Sequence, residues 1–296
     1  MMGKFAVFIL SHGRADNVRT VKTLIDGGYS GEYYIIIDNE DEQAQEYIRR
    51  YGDKVIVFDK LAISRRVDTA DIMMDRRGVV FARNASFDIA KQLGLDIFLQ
   101  LDDDYTCFSY RTVRQRQLKQ YRAKQLDRLF SAMMTFQDDT GALTVALSQG
   151  GDFIGGRLSK RVRDRVLRKA MNTFFCRTDK PFEFFGRINE DTNMYVTLGS
   201  RGELILSVVD AMVNQATTQK QKGGLTEIYL DSGTYVKSFY SVMYMPSAVK
   251  IGIMSTTHKR IHHVVDWERC VPKIINQQYR KQDIQEAGGS HATEVL

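Results

Sequence analysis

The fold is decided by the stretch Asp96-Ile97-Phe98-Leu99-Gln100-Leu101-Asp102-Asp103-Asp104-Tyr105. Its apolar part predicts a buried strand that runs directly into three carboxylates. Because strand side chains alternate between faces, we expect Asp102 and Asp104 on one side and Asp103 on the other. A divalent cation is the simplest way to offset their repulsion, because Mg²⁺ and Mn²⁺ prefer carboxylate oxygen and bridge phosphates. A solvated acidic turn is the alternative interpretation.

The composition is that of a globular protein with an anionic partner. The chain has 296 residues, 43% of them hydrophobic, which suffices for one large or two small domains. A net charge of +6 favours a polyanionic partner or a phosphorylated substrate. No apolar run approaches the roughly 18 residues of a membrane span, so we expect no membrane partner. Three dispersed cysteines fit reduced thiols and a cytoplasmic location better than disulfides or zinc.

Apolar runs alternate with helical segments in the first third of the chain. Residues 5–10, 33–37 and 54–58 predict strands, and helices are predicted between them. This alternation is typical of an α/β fold with a mostly parallel sheet flanked by helices. Ligands of such sheets bind at the carboxyl ends of the strands. The polar residues predicted at those ends are His12, Arg14, Asp38, Asp41 and the Asp102–Asp104 cluster.

Two further helices are predicted around the acidic stretch. Residues 79–94 have a helical apolar pattern, and Arg83 lies at the start, where an arginine suits a phosphate. A solvated first-turn arginine is the alternative. Residues 112–136 predict a long helix with an apolar core stripe and a basic front half.

A glycine-rich segment and a basic run follow. Four glycines among residues 150–156 indicate a close backbone approach, and residues 157–169 hold seven basic side chains against one aspartate. Such a run is usually a solvated face or a mobile loop. Its place beside a predicted acceptor site favours contacts with a phosphate backbone instead.

The later part of the chain offers a second acidic group and two histidines. Glu190 and Asp191 lie at a predicted helix start, where they act either as capping residues or as a general base. His262 and His263 are candidate further ligands for a carboxylate-bound cation, with a structural role as the alternative. Residues 286–296 are predicted to form a disordered tail.

The order of these motifs resembles the TET/JBP-associated glycosyltransferases of bacteriophages, which have the GT-A fold. The resemblance covers about residues 5–273. It is carried by Gly13-Arg14 with Asn17, Tyr34-Ile35-Ile36-Ile37-Asp38, Ala82-Arg83-Asn84, Leu99-Gln100-Leu101-Asp102-Asp103-Asp104-Tyr105, Gln149-Gly150-Gly151-Asp152-Phe153-Ile154-Gly155-Gly156, Lys169-Ala170-Met171-Asn172, Gly186-Arg187-Ile188-Asn189-Glu190-Asp191, Gly233-Thr234-Tyr235-Val236-Lys237-Ser238-Phe239-Tyr240 and Arg260-Ile261-His262-His263.

The resemblance implies one GT-A-like domain over residues 1–285. Residues 1–105 would form the half that binds the nucleotide sugar, and residues 106–285 the half that binds the acceptor. The implied reaction is metal-dependent transfer of a sugar, from a UDP-sugar in the first instance, to the hydroxymethyl group of 5-hydroxymethylcytosine or 5-hydroxymethyluracil in double-stranded phage DNA. It would take place in the cytoplasm of the infected host.

The resemblance also implies roles for individual residues. The expected donor-binding residues are His12, Arg14, Asp38, Arg83, Asp102 and Asp103. The expected ligands of Mn²⁺ or Mg²⁺ are Asp102, Asp104, His262 and His263. The expected general base is Asp191, with Glu190 second, if the anomeric centre is inverted. The expected acceptor-binding residues are Gly151, Asp152, Arg161, Arg163, Arg165 and Lys237.

Two other kinds of protein remain compatible with the sequence. A GT-A-like transferase that acts on a saccharide or another non-DNA acceptor, or a nucleotidyltransferase, would keep the metal site. A non-enzymatic DNA-binding protein would use the basic run alone. Its DNA binding would survive Asp104→Asn.

Overall fold

The structure is a computed structural model that describes residues 3–70, 75–115, 117–149, 156–163, 170–171, 173–215, 236–255, 259–270 and 274–280. Its strands are β1 Phe5–Leu10, β2 Glu32–Asp38, β3 Val55–Phe58, β4 Ile97–Asp102, β5 Tyr105–Arg114, β6 Gln117–Arg122, β7 Thr144–Gln149, β8 Phe174–Arg177, β9 Ile205–Gln215, β10 Val249–Ser255 and β11 Lys259–Val265. Its helices are α1 Arg19–Asp26, α2 Ala44–Tyr51, α3 Lys60–Ser64, α4 Val80–Gln92, α5 Leu126–Thr140, α6 Lys160–Arg163, α7 Glu190–Ser200, α8 over 236–244 and α9 Trp267–Cys270. Three-residue 3₁₀ turns are Gly52–Lys54, Gly156–Leu158 and Gln277–Tyr279.

Strands β1 to β9 form one sheet in the order β3-β2-β1-β4-β8-β7-β9-β5-β6. Strands β8 and β5 run opposite to the other seven, and β10 pairs with β11 in a separate hairpin. The predicted α/β fold with a mostly parallel sheet is confirmed. The sheet takes strands from both predicted halves of the chain.

Helices cover both faces of the sheet, and β1 shows why. Ala6 and Phe8 point to one face, where they pack with the apolar side of α4. Val7 and Ile9 point to the other, where they pack with α1 and α5. A strand buried on both faces needs a continuous apolar run, which is what β1, β2 and β4 have.

Strands β2, β1 and β4 are parallel neighbours, so their carboxyl ends meet at one edge of the sheet. The register pairs Leu10 of β1 with Ile36 of β2 and with Asp102 of β4. The segments that leave these strands begin at Ser11, Asn39 and Asp103. This edge, the acidic edge, is where the predicted donor-site residues converge.

One predicted element is wrong. Residues 112–136 are not one helix: residues 112–122 belong to the β5–β6 hairpin, and α5 begins only at Leu126. The front half carries too few apolar residues at helical spacing to bury a helix face, and β5 finds a partner in β9. Residues 182–185 are irregular, and the Asn84 side chain donates to the Phe184 carbonyl and accepts from the Phe184 N–H.

Membrane spanning is a separate question. Among the residues that the structure describes, no helix has the length and apolar character needed to cross a bilayer.

Candidate active site

The three carboxylates that follow β4 face different partners. Asp103 accepts hydrogen bonds from Ser11 Oγ at 2.6 Å and from Arg14 Nη1 at 2.8 Å, and so ties the loop after β1 to the acidic edge. Asp102 and Asp104 instead share Gln215, at the end of β9, as a neighbour. The predicted alternation of the three side chains is confirmed.

Asp102 is held by a buried arginine that also reaches α7. Arg83 donates from Nη2 to Asp102 Oδ1 at 3.1 Å and from Nε to Glu190 Oε1 at 2.8 Å. Its guanidinium carbon lies 5.1 Å from the ring centre of Phe174 and 5.6 Å from that of Phe184. These rings provide cation–π contacts in a site closed to water.

The predicted contact between Arg83 and a donor phosphate is therefore corrected. Arg83 is 1% exposed and its charge is already paired with two carboxylates. Sequence placed it correctly at the start of α4, but that helix start is covered by α7 and the segment before it. Arg83 positions Asp102 and Glu190 instead.

Asp104 has a carboxylate oxygen that is an unsatisfied hydrogen-bond acceptor. Its Oδ1 is buried, and no hydrogen bond to it is found in the described structure. Burial and the charge of Asp103 raise the pKa of Asp104 to about 6. Burial raises the pKa of Asp102 to about 7, although Arg83 opposes the shift. The acidic edge thus concentrates negative charge that the neighbouring arginines only partly offset.

A hard divalent cation fits this donor set. Mg²⁺ commonly binds through one or two carboxylates and takes its remaining ligands from water and substrate phosphates. Asp104 Oδ1 supplies one buried acceptor, and Asp102 lies beside it. The pair supplies the oxygen chemistry that Mg²⁺ and Mn²⁺ prefer.

The two histidines predicted as further metal ligands do not join this pair. Within the described ranges, no three side chains of His, Cys, Asp or Glu come together as a metal-binding group. His263 lies on β11, where its Nδ1 is 3.4 Å from Asn189 Nδ2 at the start of α7. The rings of His262 and His263 lie next to each other, with centres 4.2 Å apart and planes tilted by 33°. The sequence identified two ligand-type side chains but not the separate hairpin that carries them.

A second polar cluster lies at the ends of β1 and β2. His12 Nδ1 donates to Asp38 Oδ2 at 2.8 Å, and the buried Lys60 donates to Asp38 Oδ1 at 3.2 Å. Asp41 accepts from the Gly13 N–H at 2.8 Å and fixes the loop after β1. Both oxygens of Asp38 are engaged, whereas the His12 side chain is 44% exposed. His12 is therefore the member of this cluster whose side chain is open to solvent.

The His12–Asp38 pair makes the first testable prediction. The hydrogen bond to Asp38 raises the pKa of His12 above 6.5, although burial opposes it. The pair therefore contributes its full stabilisation of the folded state between about pH 4, the ordinary pKa of an aspartate, and about pH 6.5. This stabilisation is lost as pH rises through the raised pKa of His12 and as pH falls through the lowered pKa of Asp38. An NMR titration should give a His12 pKa above 6.5 that falls in Asp38→Asn. An unshifted His12 in both proteins would contradict the pairing.

The second predicted acidic group, Glu190 and Asp191, lies at the start of α7. Asn189 precedes the helix in the left-handed conformation, with φ of 58°, and its amide donates to the Lys237 carbonyl at 2.7 Å. Glu190 and Asp191 are buried, and burial raises the pKa of Glu190 against the effect of Arg83. Burial also lowers the pKa of Lys237, which Asp191 opposes. Asp191 and Lys237 thus lie close enough to interact, and Asp191 is free of Arg83.

Comparison with known proteins decides the family. A family model described as TET-Associated Glycosyltransferase matches residues 5–224. The chain belongs to the TET-associated glycosyltransferase family. The resemblance read from the motifs is confirmed, and this TET-associated glycosyltransferase is an enzyme of the glycosyl-transferring class. A search among curated proteins finds no significant match.

Solved structures similar to this TET-associated glycosyltransferase are distant in sequence. Glucosyl-3-phosphoglycerate synthase from Mycobacterium tuberculosis, in complex with Mg²⁺ and UDP, is 14% identical, with a TM-score of 0.46, over 89% of this chain and 88% of that one. The mannosyltransferase PcManGT from Pyrobaculum calidifontis, with GDP-Man and Mn²⁺, is 11% identical, with a TM-score of 0.47, over 83% and 73%. S. aureus TarS 1-349, with UDP-GlcNAc, is 13% identical, with a TM-score of 0.46, over 77% and 64%.

Part of the predicted acceptor site of this TET-associated glycosyltransferase lies outside the described residues. This applies to Gly151, Asp152 and Arg165. Arg161 and Arg163 lie on the short helix α6, and their side chains are likewise not described. Their predicted contacts with an acceptor remain predictions, as does the disordered tail over 286–296.

Sequence reasoning missed four polar residues that organise the site. Gln100 accepts from Arg83 Nη1 at 3.5 Å and donates to the Arg83 carbonyl at 2.9 Å. Its presence inside an otherwise apolar strand was a usable signal, because a buried amide needs partners. Tyr47, whose hydroxyl accepts from the Arg14 N–H at 2.9 Å, gave no such signal, and neither did Lys60 or Gln215. Each lies in a segment with ordinary polar neighbours.

Proposed function

We propose that this glycosyltransferase uses a nucleotide sugar, a UDP-sugar in the first instance, to glycosylate the hydroxymethyl group of 5-hydroxymethylcytosine or 5-hydroxymethyluracil in double-stranded DNA. The single observation that carries the proposal is the buried, unpartnered Oδ1 of Asp104 at the acidic edge. The family assignment supplies the reaction class. The net charge of +6 favours a DNA acceptor over a neutral saccharide.

The donor would lie across the acidic edge. His12, fixed by Asp38, would contact the nucleoside, and Asp104 with Asp102 would hold Mn²⁺ or Mg²⁺ beside the diphosphate. When bound, the cation would neutralise the charge that develops on the leaving phosphate oxygens. Arg14, anchored on Asp103, would border the same phosphates. All of these groups come from residues 1–105, which are the predicted donor half.

The acceptor would approach from the start of α7. Asp191 is the better-placed base, because Glu190 Oε1 already accepts a hydrogen bond from Arg83. Asp191 would take the proton of the acceptor hydroxyl. At the same time the hydroxymethyl oxygen would bond to the anomeric carbon, and the bond between that carbon and the diphosphate would break. A single displacement of this kind inverts the anomeric centre. Lys237, beside Asp191, would contact the acceptor.

The enzyme can reach the acceptor hydroxyl in two ways. The hydroxymethyl group on C5 projects into the major groove, where direct access is open to a protein. Flipping the base into a pocket would cost a few kcal/mol. Either route places the DNA backbone against basic side chains such as Arg161, Arg163 and Arg165.

Mass spectrometry tests the proposal directly. Hydroxymethylated duplex DNA is incubated with the protein, Mn²⁺ or Mg²⁺ and a panel of nucleotide sugars, and the nucleosides are then analysed. We expect a hexosyl or pentosyl adduct of the hydroxymethylpyrimidine with wild type and none with Asp191→Asn. Adducts on free saccharides but not on DNA would replace the DNA acceptor with a small one. DNA binding without any transfer would favour a binding protein.

A further inference from the structure

The β5–β6 hairpin and the residues that follow it are rich in basic side chains. Residues 105–126 contain six Arg or Lys residues and no Asp or Glu. Strand β6 is the last strand of the sheet, and no described strand pairs with its outer edge. Arg114, Lys119 and Lys124 are exposed. Their positive charge is not offset by an ion pair in the described part of the chain.

The register of the hairpin collects polar groups on one face. Residues paired directly across two strands share a face, and the pairs here include Arg114 with Gln117, Thr112 with Lys119, and Tyr110 with Tyr121. The resulting face carries two cationic side chains and two uncharged hydrogen-bonding groups, and Tyr121 on it is 48% exposed. Cations interleaved with hydrogen-bond donors and an exposed aromatic ring suit a phosphate backbone.

The hairpin starts at the reaction centre and leads away from it. Strand β5 begins at Tyr105, directly after Asp104, and is ten residues long. At a rise of about 3.4 Å per residue, Arg114 lies about 30 Å along the strand from the acidic edge. A duplex rises by about 3.4 Å per base pair, so this track matches about nine base pairs.

We propose that the β5–β6 hairpin binds the phosphate backbone of duplex DNA on one side of the modified base. This inference rests on the proposed DNA acceptor and adds to it a surface that the predicted basic run 157–169 does not include. Arg122 is left out of the contact set, because it lies 3.3 Å from Asp26. The surface consists of Arg114 and Lys119 on the hairpin face and of the exposed Lys124 in the segment that follows β6.

The test compares two triple variants with matched charge loss. The first carries Arg114→Gln, Lys119→Gln and Lys124→Gln. The control carries Lys91→Gln, Lys180→Gln and Arg201→Gln, which are exposed elsewhere on the protein. A plot of log affinity against log salt has a negative slope, and each lost phosphate contact should make that slope shallower by about 1. The slope should therefore become shallower by about 3 in the hairpin variant and stay unchanged in the control.

Duplex length provides a second readout. For wild type, KM should fall when the flank on one side of the modified base grows from about 4 to about 12 base pairs, a length that covers the hairpin track. The hairpin variant should lose this dependence and keep the wild-type kcat on short duplexes. An unchanged salt slope or an unchanged length dependence in the hairpin variant overturns the proposal. A change of oligomeric state without a change of slope assigns β6 to self-association and also overturns it.

The two proposals fail in different ways. Binding of unmodified duplex DNA, measured by fluorescence anisotropy, tests the hairpin without any sugar transfer. A hairpin effect on binding without any DNA glycosylation would defeat the proposed acceptor and leave the surface standing. DNA glycosylation by wild type, together with unchanged DNA binding by the hairpin variant, would support the proposed acceptor and defeat the proposed surface.

Discussion

Asp104→Asn is expected to abolish sugar transfer and to leave the protein folded. Asparagine keeps the shape of the side chain but removes the charge that holds a cation, and metal stabilisation of a leaving group contributes several kcal/mol. A loss of about 4 kcal/mol lowers kcat about 10³-fold. The melting temperature should stay level or rise slightly, because burial and Asp103 already disfavour the charged form of Asp104.

Steady-state transfer to hydroxymethylated DNA measures this effect. Asp139→Asn, at an exposed position on α5, is the matched control and should retain wild-type kcat. Transfer by Asp104→Asn at a near wild-type rate would remove the metal role from Asp104. Unmodified DNA should still bind to Asp104→Asn with most of the wild-type affinity.

Arg83→Met should produce the largest loss of stability among single substitutions at the site. Methionine retains apolar bulk between Phe174 and Phe184 but leaves the carboxylates of Asp102 and Glu190 without their buried cation. Removing one partner of a buried ion pair costs about 3–5 kcal/mol. The free energy of unfolding from urea titrations measures the loss, and a value below about 1 kcal/mol would contradict the assigned role.

Two companion variants separate charge from geometry. Arg83→Lys keeps the charge but loses the fork that reaches two carboxylates, so it should fall between wild type and Arg83→Met. Adding Glu190→Gln to Arg83→Met should recover part of the loss, which a double-mutant cycle quantifies. The loss in Arg83→Met should also shrink toward pH 4, where the unpaired carboxylates take up protons. Additive effects in the cycle would separate Arg83 from Glu190.

Sequence predicted the acidic edge because its signals are local. Continuous apolar runs define β1, β2 and β4, and the residues that follow parallel strands must meet at one edge. The placement of His12, Asp38 and the Asp102–Asp104 cluster follows from that rule alone. No knowledge of side-chain packing was needed.

The ion pair between Arg83 and Glu190 could not be predicted from the sequence, because it depends on tertiary packing. Glu190 lies 107 positions away, and only the packing of α7 against α4 brings the two together. The same holds for His263, whose neighbour Asn189 comes from another element. The sequence does not predict the strands in the basic segment before α5, because apolar and polar residues do not alternate there. Five of the six residues of the edge strand β6 are exposed, so the alternation of burial that marks a strand disappears there.

Calorimetric titration of UDP, with and without Mn²⁺, tests the central claim that the acidic edge binds a diphosphate through a cation. Wild type should bind UDP at least about tenfold more tightly with Mn²⁺, a gain of about 1.4 kcal/mol. Asp104→Asn should lose this gain and keep any metal-independent binding. UDP affinity that does not depend on Mn²⁺ in wild type, or a full Mn²⁺ effect in Asp104→Asn, would contradict the claim.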